Sequence, residues 1–195
     1  MAESPARAQR WAERRQQILD VAREVAEADG WTAVTSRRLA EAIGYTQPVL
    51  YQHFPGGKSE IMRTVALAGF AELAAATRAA VGRKTGPRAV TALAEAYLGF
   101  ARAHPALYEA MFQLPIDARF AQDDTEAELR AGFDAIAAVT GGDAGAAEVL
   151  WCALHGISQL ERAGRVPSWA GPARIAELAA RFGGSVVEPA PVQNE

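Results

Sequence analysis

Chain-breaking residues divide this sequence into segments that are each the length of a helix. Gly30, Gly44, the run Pro55-Gly56-Gly57, the stretch from Gly82 to Pro87, His104-Pro105, Gly141-Gly142 and the stretch from Gly164 to Pro172 fall at intervals of 11 to 37 residues. Glycine and proline are the poorest helix formers, so each position reads as a stop. Between the stops, apolar residues recur three, four and seven apart, as in Ile18, Val21, Ala22 and Val25. No alternating apolar–polar run is long enough to propose a strand. Half of the chain is hydrophobic and only 8% is aromatic, with alanine carrying much of the difference. Alanine favours helix and contributes little to a strand. The expected fold class is therefore all-α, and 195 residues suffice for a small domain joined to a larger one.

The pattern predicts a first helix over about 10–29, with residues 1–9 frayed, and Gly30 as its stop. Thr35 is placed to cap a second short helix whose inward face is Leu39, Ala40 and Ile43, ended by Gly44. Thr46 can cap a third, with Pro48 in the first turn, where a missing N–H costs nothing. Further helices are expected over about 58–82, 87–103, a short apolar one in ALYEAMFQL, then 124–139, 143–163 and 171–182. Residues 115–124 read as irregular and 186–195 as a disordered tail. Two short helices meeting at a tight turn with Gly44 are helix-turn-helix punctuation.

The segment TQPVLYQHF, residues 46–54, spends many hydrogen-bonding side chains in a short space. On a helix, Leu50 and Phe54 are four apart and share the core face. Thr46, Gln47, Tyr51, Gln52 and His53 then lie on or near the outward face. Gln can pair bidentately with adenine, Tyr and His can reach phosphates, and Pro48 with Val49 offers apolar contact to a thymine methyl. Lys58 opens the next helix, where its ammonium and the helix N-terminus both attract phosphate. Arg37 and Arg38 begin the preceding helix and can do likewise. The alternative is an ordinary solvated polar helix.

Charge is unevenly spread. Residues 1–63 carry a net +1, residues 64–102 a net +3 and residues 103–195 a net −7. Local basic clusters occur at Arg7, Arg10, Arg14 and Arg15 and at Arg37 and Arg38. The single cysteine, Cys152, cannot form an internal disulfide and reads as a buried inert thiol. No uninterrupted apolar run approaches 18 residues and the first 20 are polar, so neither a membrane span nor a secretory signal is expected, and the location expected is cytoplasmic.

The stretch RQQILDVAREVAEADGWTAVTSRRLAEAIGYTQPVLYQHFPGGKSEI resembles the DNA-binding domain of TetR/AcrR-family bacterial transcriptional regulators over roughly residues 14–62, with LYQHF followed by GK as its most specific part. The resemblance implies an all-helical homodimer. An N-terminal three-helix helix-turn-helix domain, residues 10–57, would bind double-stranded operator DNA. A larger helical domain, residues 58–185, would hold a small-molecule effector pocket and the dimer interface. By position, Thr46, Gln47, Pro48, Tyr51, His53 and Lys58 match the family's DNA-contacting residues. Gln52 stands at a more variable position, and Arg37 at a second-helix position that touches phosphate. HPALYEAMF and WCALHG are similar to a C-terminal subfamily with a W-x-x-x-H-G signature, here Trp151, His155 and Gly156.

Effector pockets are mostly apolar with few polar groups. Candidates are Phe70, Tyr97, Phe100, Tyr108, Met111, Phe112, Phe133, Trp151 and His155, with Tyr108, Met111 and Phe112 favoured because their short helix is broken on both sides. Trp151 and His155, one turn apart, can equally be an internal packing pair. Helices 143–163 and 171–182 are expected to dimerise through Leu150, Leu154, Ile157, Leu160, Ile175 and Leu178, some of which can instead face the monomer core. Effector binding is expected to tilt the 58–82 helix and change the spacing of the two DNA-reading heads.

An enzyme is the main competing class. His53, His104 and His155 have no metal-ligand spacing, so no metal or cofactor is expected. GFAELAAA and TGGDAGAA follow no strand, which removes a nucleotide loop, and no nucleophile elbow occurs. Asp123, Asp124, Glu126 and Glu128 read as a solvated loop and helix start. A helical scaffold that binds only proteins would explain the acidic second half but not residues 46–58, and a regulator of this family without an effector also stays open.

Overall fold

The computed structural model describes residues 5–115 and 127–184. Among these the regular structure is helical: α1 (Pro5–Asp29), α2 (Ser36–Ala42), α3 (Gln47–His53), α4 (Gly57–Val81), α5 (Gly86–Ala103), α6 (Pro105–Phe112), α7 (Ala127–Ala137), α8 (Ala144–Arg162) and α9 (Gly171–Phe182). Short 3-10 turns at Trp31–Ala33, Ala138–Thr140 and Ser168–Ala170 connect them. The all-α expectation holds. The irregular stretch, Asp123, Asp124, Glu126 and the expected tail lie outside the described residues. The first helix starts at Pro5 rather than near Arg10.

The contacts form two compact units, Met1–Ala71 with His104–Leu129, and Glu72–Ala103 with Arg130–Glu195. Their dividing points fall inside α4, between α5 and α6, and inside α7, so they do not follow the 57/58 boundary drawn from function.

In the first unit, the turn between α2 and α3 is set by backbone geometry. Gly44 has φ of 71°. The Tyr45 N–H bonds the Ala40 carbonyl at 2.9 Å and the Gly44 N–H bonds the Glu41 carbonyl at 3.2 Å. These are the paired bonds of a Schellman motif with glycine in the left-handed position. Thr35 Oγ1 accepts from the Arg38 N–H at 3.2 Å, capping α2 as expected. Thr46 takes the N-cap position of α3 with extended backbone but makes no side-chain cap bond. Leu39, Ala40, Ile43, Leu50 and Phe54 are buried beneath the turn together with Ile18, Ala22 and Ala26 of α1.

Polar bonds hold α6 in the same unit. The Glu27 carboxylate accepts from the N–H groups of Ala106 and Leu107, both at 2.9 Å, and so caps a helix 80 residues away. Trp31 Nε1 donates to the Ala106 carbonyl at 2.7 Å, and Lys58 Nζ donates to the Trp31 carbonyl. Gly69 lets α6 come close to α4, since a Cβ there would lie 2.8 Å from Leu107 Cδ1 and Met111 Sδ.

In the second unit, α9 packs along α5, and α8 packs on α5. A Cβ at Gly183 would fall 2.5 Å from Pro87 Cα, so α9 ends in backbone-to-backbone contact with the start of α5. The buried Glu161 carboxylate joins three helices, bonded by Arg102 of α5 at 3.0 Å and by Arg174 of α9. Burial alone would raise its pKa, but the two guanidinium hydrogen bonds prevail and the net shift is downward.

α4 has the length and mean hydropathy, 1.3, of a bilayer-crossing helix. A search for uninterrupted apolar runs passes over it because Glu72 and Arg78 interrupt the run. Ile61, Met62, Val65, Ala66, Phe70, Leu73 and Ala74 of this helix are buried in protein.

A Cβ at Gly44 would meet nothing within 4 Å, so substitution there reports backbone strain alone. Gly44→Ala is expected to destabilise by about 1–2 kcal/mol, and Gly44→Asn by less, since Asn tolerates this conformation. Urea unfolding of the two variants checks the order; equal stability of Ala and Gly would contradict the strained turn.

Candidate nucleic-acid interface

Because Leu50 and Phe54 anchor α3 from beneath, its other side is presented outward. Thr46, Gln47, Pro48, Tyr51 and Gln52 are all exposed, Val49 is half-buried, and Tyr45 before the helix is exposed as well. The surface thus offers an amide pair, hydroxyls and apolar carbons with no charge on α3 itself. Tyr51 is fixed from two sides. Its Oη lies 3.3 Å from Ser36 Oγ at the start of α2, and its ring lies where a Cβ on Gly57, which has φ of 61°, would come within 3.2 Å. Arg37 extends from α2, largely exposed, paired with Glu41 at 2.8 Å. Arg38 pairs with Asp29 of α1.

Two expectations need correction. His53 is not on the outward face. It is only 2% exposed, its ring stacks on Trp11 at 3.8 Å, and neither ring nitrogen has a partner among the described residues. The reason is helical register: His53 is three residues from Leu50 and so shares its buried side. Burial first, then the positive charges of Arg14 and Arg15, lower its pKa, so the ring is neutral at pH 7. Lys58 is half-buried and its ammonium is already engaged by the Trp31 carbonyl, so it joins α4 to the turn after α1 rather than standing free.

Two arginines of the first basic cluster, and Trp11, which the sequence reading did not single out, pack at the two ends of α3. Arg14 lies over the Tyr45 ring at 4.4 Å and Arg15 over the Phe54 ring at 3.9 Å. Arg15 also donates to the His53 carbonyl and pairs with Glu60 at 3.5 Å. Trp11 gave a signal, standing seven residues before the buried Ile18 and so on the same helix face.

The effector candidates divide between the two units. Phe70, Tyr108, Met111 and Phe112 come together in the first. Phe112 meets Phe70 edge-on at 5.1 Å and Tyr108 at 4.6 Å with the rings tilted by 45°, and Tyr108 and Met111 are buried. In the second, Phe133 meets Trp151 edge-on at 6.4 Å, Tyr97 and Phe100 are buried on α5, and His155 is half-buried, its pKa lowered by burial. A surface groove of about 460 Å³ is lined by Thr91, Glu95, Arg102, Ser168, Pro172 and Ile175, and none of the effector candidates lines it.

The dimer candidates also need correction. Leu150, Leu154 and Leu178 are buried within the one chain, completing the core of the second unit. Ile157 and Ile175 are half-buried, and Leu160 is exposed. The exposed row of α8 instead contains Val149, 60% exposed, Cys152 and Leu160. Cys152 is accordingly not the buried thiol expected.

Residues 18–65 match the family model of bacterial regulatory proteins, tetR family, and residues 90–182 match that of the tetracyclin repressor-like C-terminal domain, a span that includes Trp151, His155 and Gly156. The chain is 32% identical over 93 residues to YobS, an uncharacterized HTH-type transcriptional regulator of Bacillus subtilis (strain 168), and the match spans 48% of each chain, about half the length of that relative. Its fold is similar to the crystal structure of SCO4313, with a TM-score of 0.72 and 21% identity over 89% of this chain and 98% of that one. It is also similar to a tetR-family regulatory protein from Rhodococcus RHA1, with a TM-score of 0.60 and 20% identity over 87% and 96%.

A buried neutral histidine destabilises the fold once the unfolded chain can be protonated and the native ring cannot. Stability is therefore fully present above the ordinary histidine value of 6.5 and is lost as pH falls from there toward the lowered native value. His53→Phe, which keeps the ring stack and removes two unpartnered nitrogens, is expected to unfold at a higher temperature and to show a weaker pH dependence between 7 and 5. His155, whose pKa burial also lowers, contributes in the same direction. Melting curves across that range check it; an unchanged slope would mean that the His53 nitrogens have partners in solution.

Proposed function

The chain belongs to the tetR family of bacterial regulatory proteins, a family of DNA-binding transcriptional regulators, and from that premise we propose that it is a repressor released from a near-palindromic operator by a small, mostly apolar effector. The observation that carries the DNA-reading part is the exposed, uncharged polar face of α3. Gln47 and Gln52 have the geometry to pair with adenine edges, Pro48 and Val49 to meet a thymine methyl, and Thr46 and Tyr51 to reach phosphates. Arg37 supplies charge beside them. Lys58 contributes through position, holding α4 to the Trp31 turn, and His53 contributes through packing under α3. Residues 10–57 would be the reading head and residues 58–185 the effector-binding and dimerising part.

A homodimer would present two α3 helices about one DNA turn apart. The exposed row Val149, Cys152 and Leu160, with the half-buried Gly156 and Ile157, supports α8 as its seam. The effector site favoured here is the aromatic cluster of Phe70, Tyr108, Met111 and Phe112. Three of these four residues belong to α6, whose first turn is bonded to Glu27 and Trp31. An effector that displaces α6 therefore acts on the head directly, and not only by tilting α4. Coupling of about 1–3 kcal/mol would lower operator affinity some 5- to 150-fold.

The test is selection of bound sites from a random duplex pool, followed by affinity measurements. The expected result is an enriched near-palindrome, with Gln47→Ala costing about 1–3 kcal/mol per half-site and relaxing the preference at one base position. Absence of any enrichment at low salt, from a folded protein shown by mass spectrometry to carry no small molecule, would refute the DNA-reading function.

A further inference from the structure

The buried stripe of α1 continues past the edge of the core and changes character there. Ala26, Ala22 and Ile18 are buried at a spacing of four. The same row, followed toward the N-terminus, holds Arg14 and then Arg10, with Arg7 three residues further on. Residues 5–13 are all exposed, and among them Trp11 has a ring contact with the rest of the unit, on His53. From Pro5 to Leu19 there are four arginines and a single acid, Glu13. Glu13 stands one turn from Arg10 and accepts from Gln9 at 2.8 Å.

This basic row adjoins the end of the recognition helix. Trp11 stacks on His53, the last residue of α3, and Arg14 lies over Tyr45, the residue that leads into Thr46 and Gln47. Arg14 to Arg7 spans about 10 Å of helix, enough to reach more than one phosphate along a strand. Guanidinium groups match phosphate oxygens in geometry as well as charge.

We propose that the N-terminal turns of α1 are a second DNA-contacting surface: Arg14, Arg10 and Arg7 grip the phosphate backbone flanking the groove entered by α3, and Trp11 is the positioning residue that sets their register through His53. This rests on the DNA-reading function proposed above. The occupant is DNA because the row is continuous with the α3 face and of opposite charge to the backbone bordering any groove that face enters. The contact carries no base information; it adds affinity and salt dependence.

The experiment uses the full-length protein and its selected operator duplex, with affinity measured against salt concentration. Arg10 is exposed, so Arg10→Ala is expected to keep the helical spectrum and melting temperature of the parent. It should lower the slope of log affinity against log salt by about 2 per dimer, one phosphate contact in each copy, without changing the selected sequence. Arg10→Lys should keep most of the slope. Trp11→Ala, with every charge retained, should lower the slope in the same direction, and adding Arg10→Ala to it should lower it by less than Arg10→Ala alone does in the parent. Trimming the duplex to the base pairs under α3 should abolish the difference between parent and Arg10→Ala. An unchanged slope in Arg10→Ala, while Gln47→Ala still weakens binding, would overturn the second surface and leave the DNA-reading function standing. Failure of the parent to select any sequence would overturn both.

Discussion

The carboxylate of Glu27 is the bond on which the first unit most depends. α6 begins with Pro105, which has no N–H to satisfy, and its next two N–H groups both point to this one side chain. A helix end that is covered by protein must find partners for its backbone donors, and the cost of failing is of the order of the hydrogen bond itself. Glu27 meets that requirement from α1, 80 residues earlier. The neighbouring bonds follow the same line: the Trp31 indole reaches the Ala106 carbonyl and Lys58 reaches the Trp31 carbonyl. Three helices and one 3-10 turn are thereby held by directional contacts in addition to apolar packing.

That arrangement frees α3 from any structural duty on its outer side. The Schellman bonds at Gly44 set its direction, and Leu50 and Phe54 fill the space beneath it. What remains outward is a short surface of amides, hydroxyls and apolar carbon, suited to hydrogen-bonding edges rather than to bulk charge. The positive charge stands beside this face instead, on α1 and α2. Division of labour between base-reading and backbone-gripping side chains is a general feature of proteins that read duplex DNA.

Much of the fold is legible in the residues. Gly30, Gly44 and Pro105 mark ends because few alternatives suit those backbone conformations, and the Thr35 cap and the inward face of Leu39, Ala40 and Ile43 stand where spacing puts them. The readings of His53 and Lys58 show the limit. His53 carries the right chemistry for a phosphate contact, yet its register relative to Leu50 turns it under the helix, and Trp11, 42 positions earlier, covers it. Lys58 likewise looks free in sequence because its partner is a backbone carbonyl, which no residue type announces. Leu150, Leu154 and Leu178 were legible as apolar, but an apolar helix face does not say whether a neighbour in the same chain or a second copy will cover it.

By itself the sequence determined what is local: helix content, the positions of stops and caps, the turn between α2 and α3, and the family to which the chain belongs. These depend on backbone conformation and side-chain type over at most a turn or two. Tertiary structure alone decided which polar groups are spent inside the molecule and which are left for a partner. Glu27, Trp31, His53 and Lys58 are engaged or covered by residues that are remote in sequence, whereas Gln47, Tyr51 and Gln52 keep their outward sides exposed. The physical reason is that burial and hydrogen-bond satisfaction are properties of the packed chain: a side chain's chemistry is set by its identity, but its availability is set by what the fold brings against it.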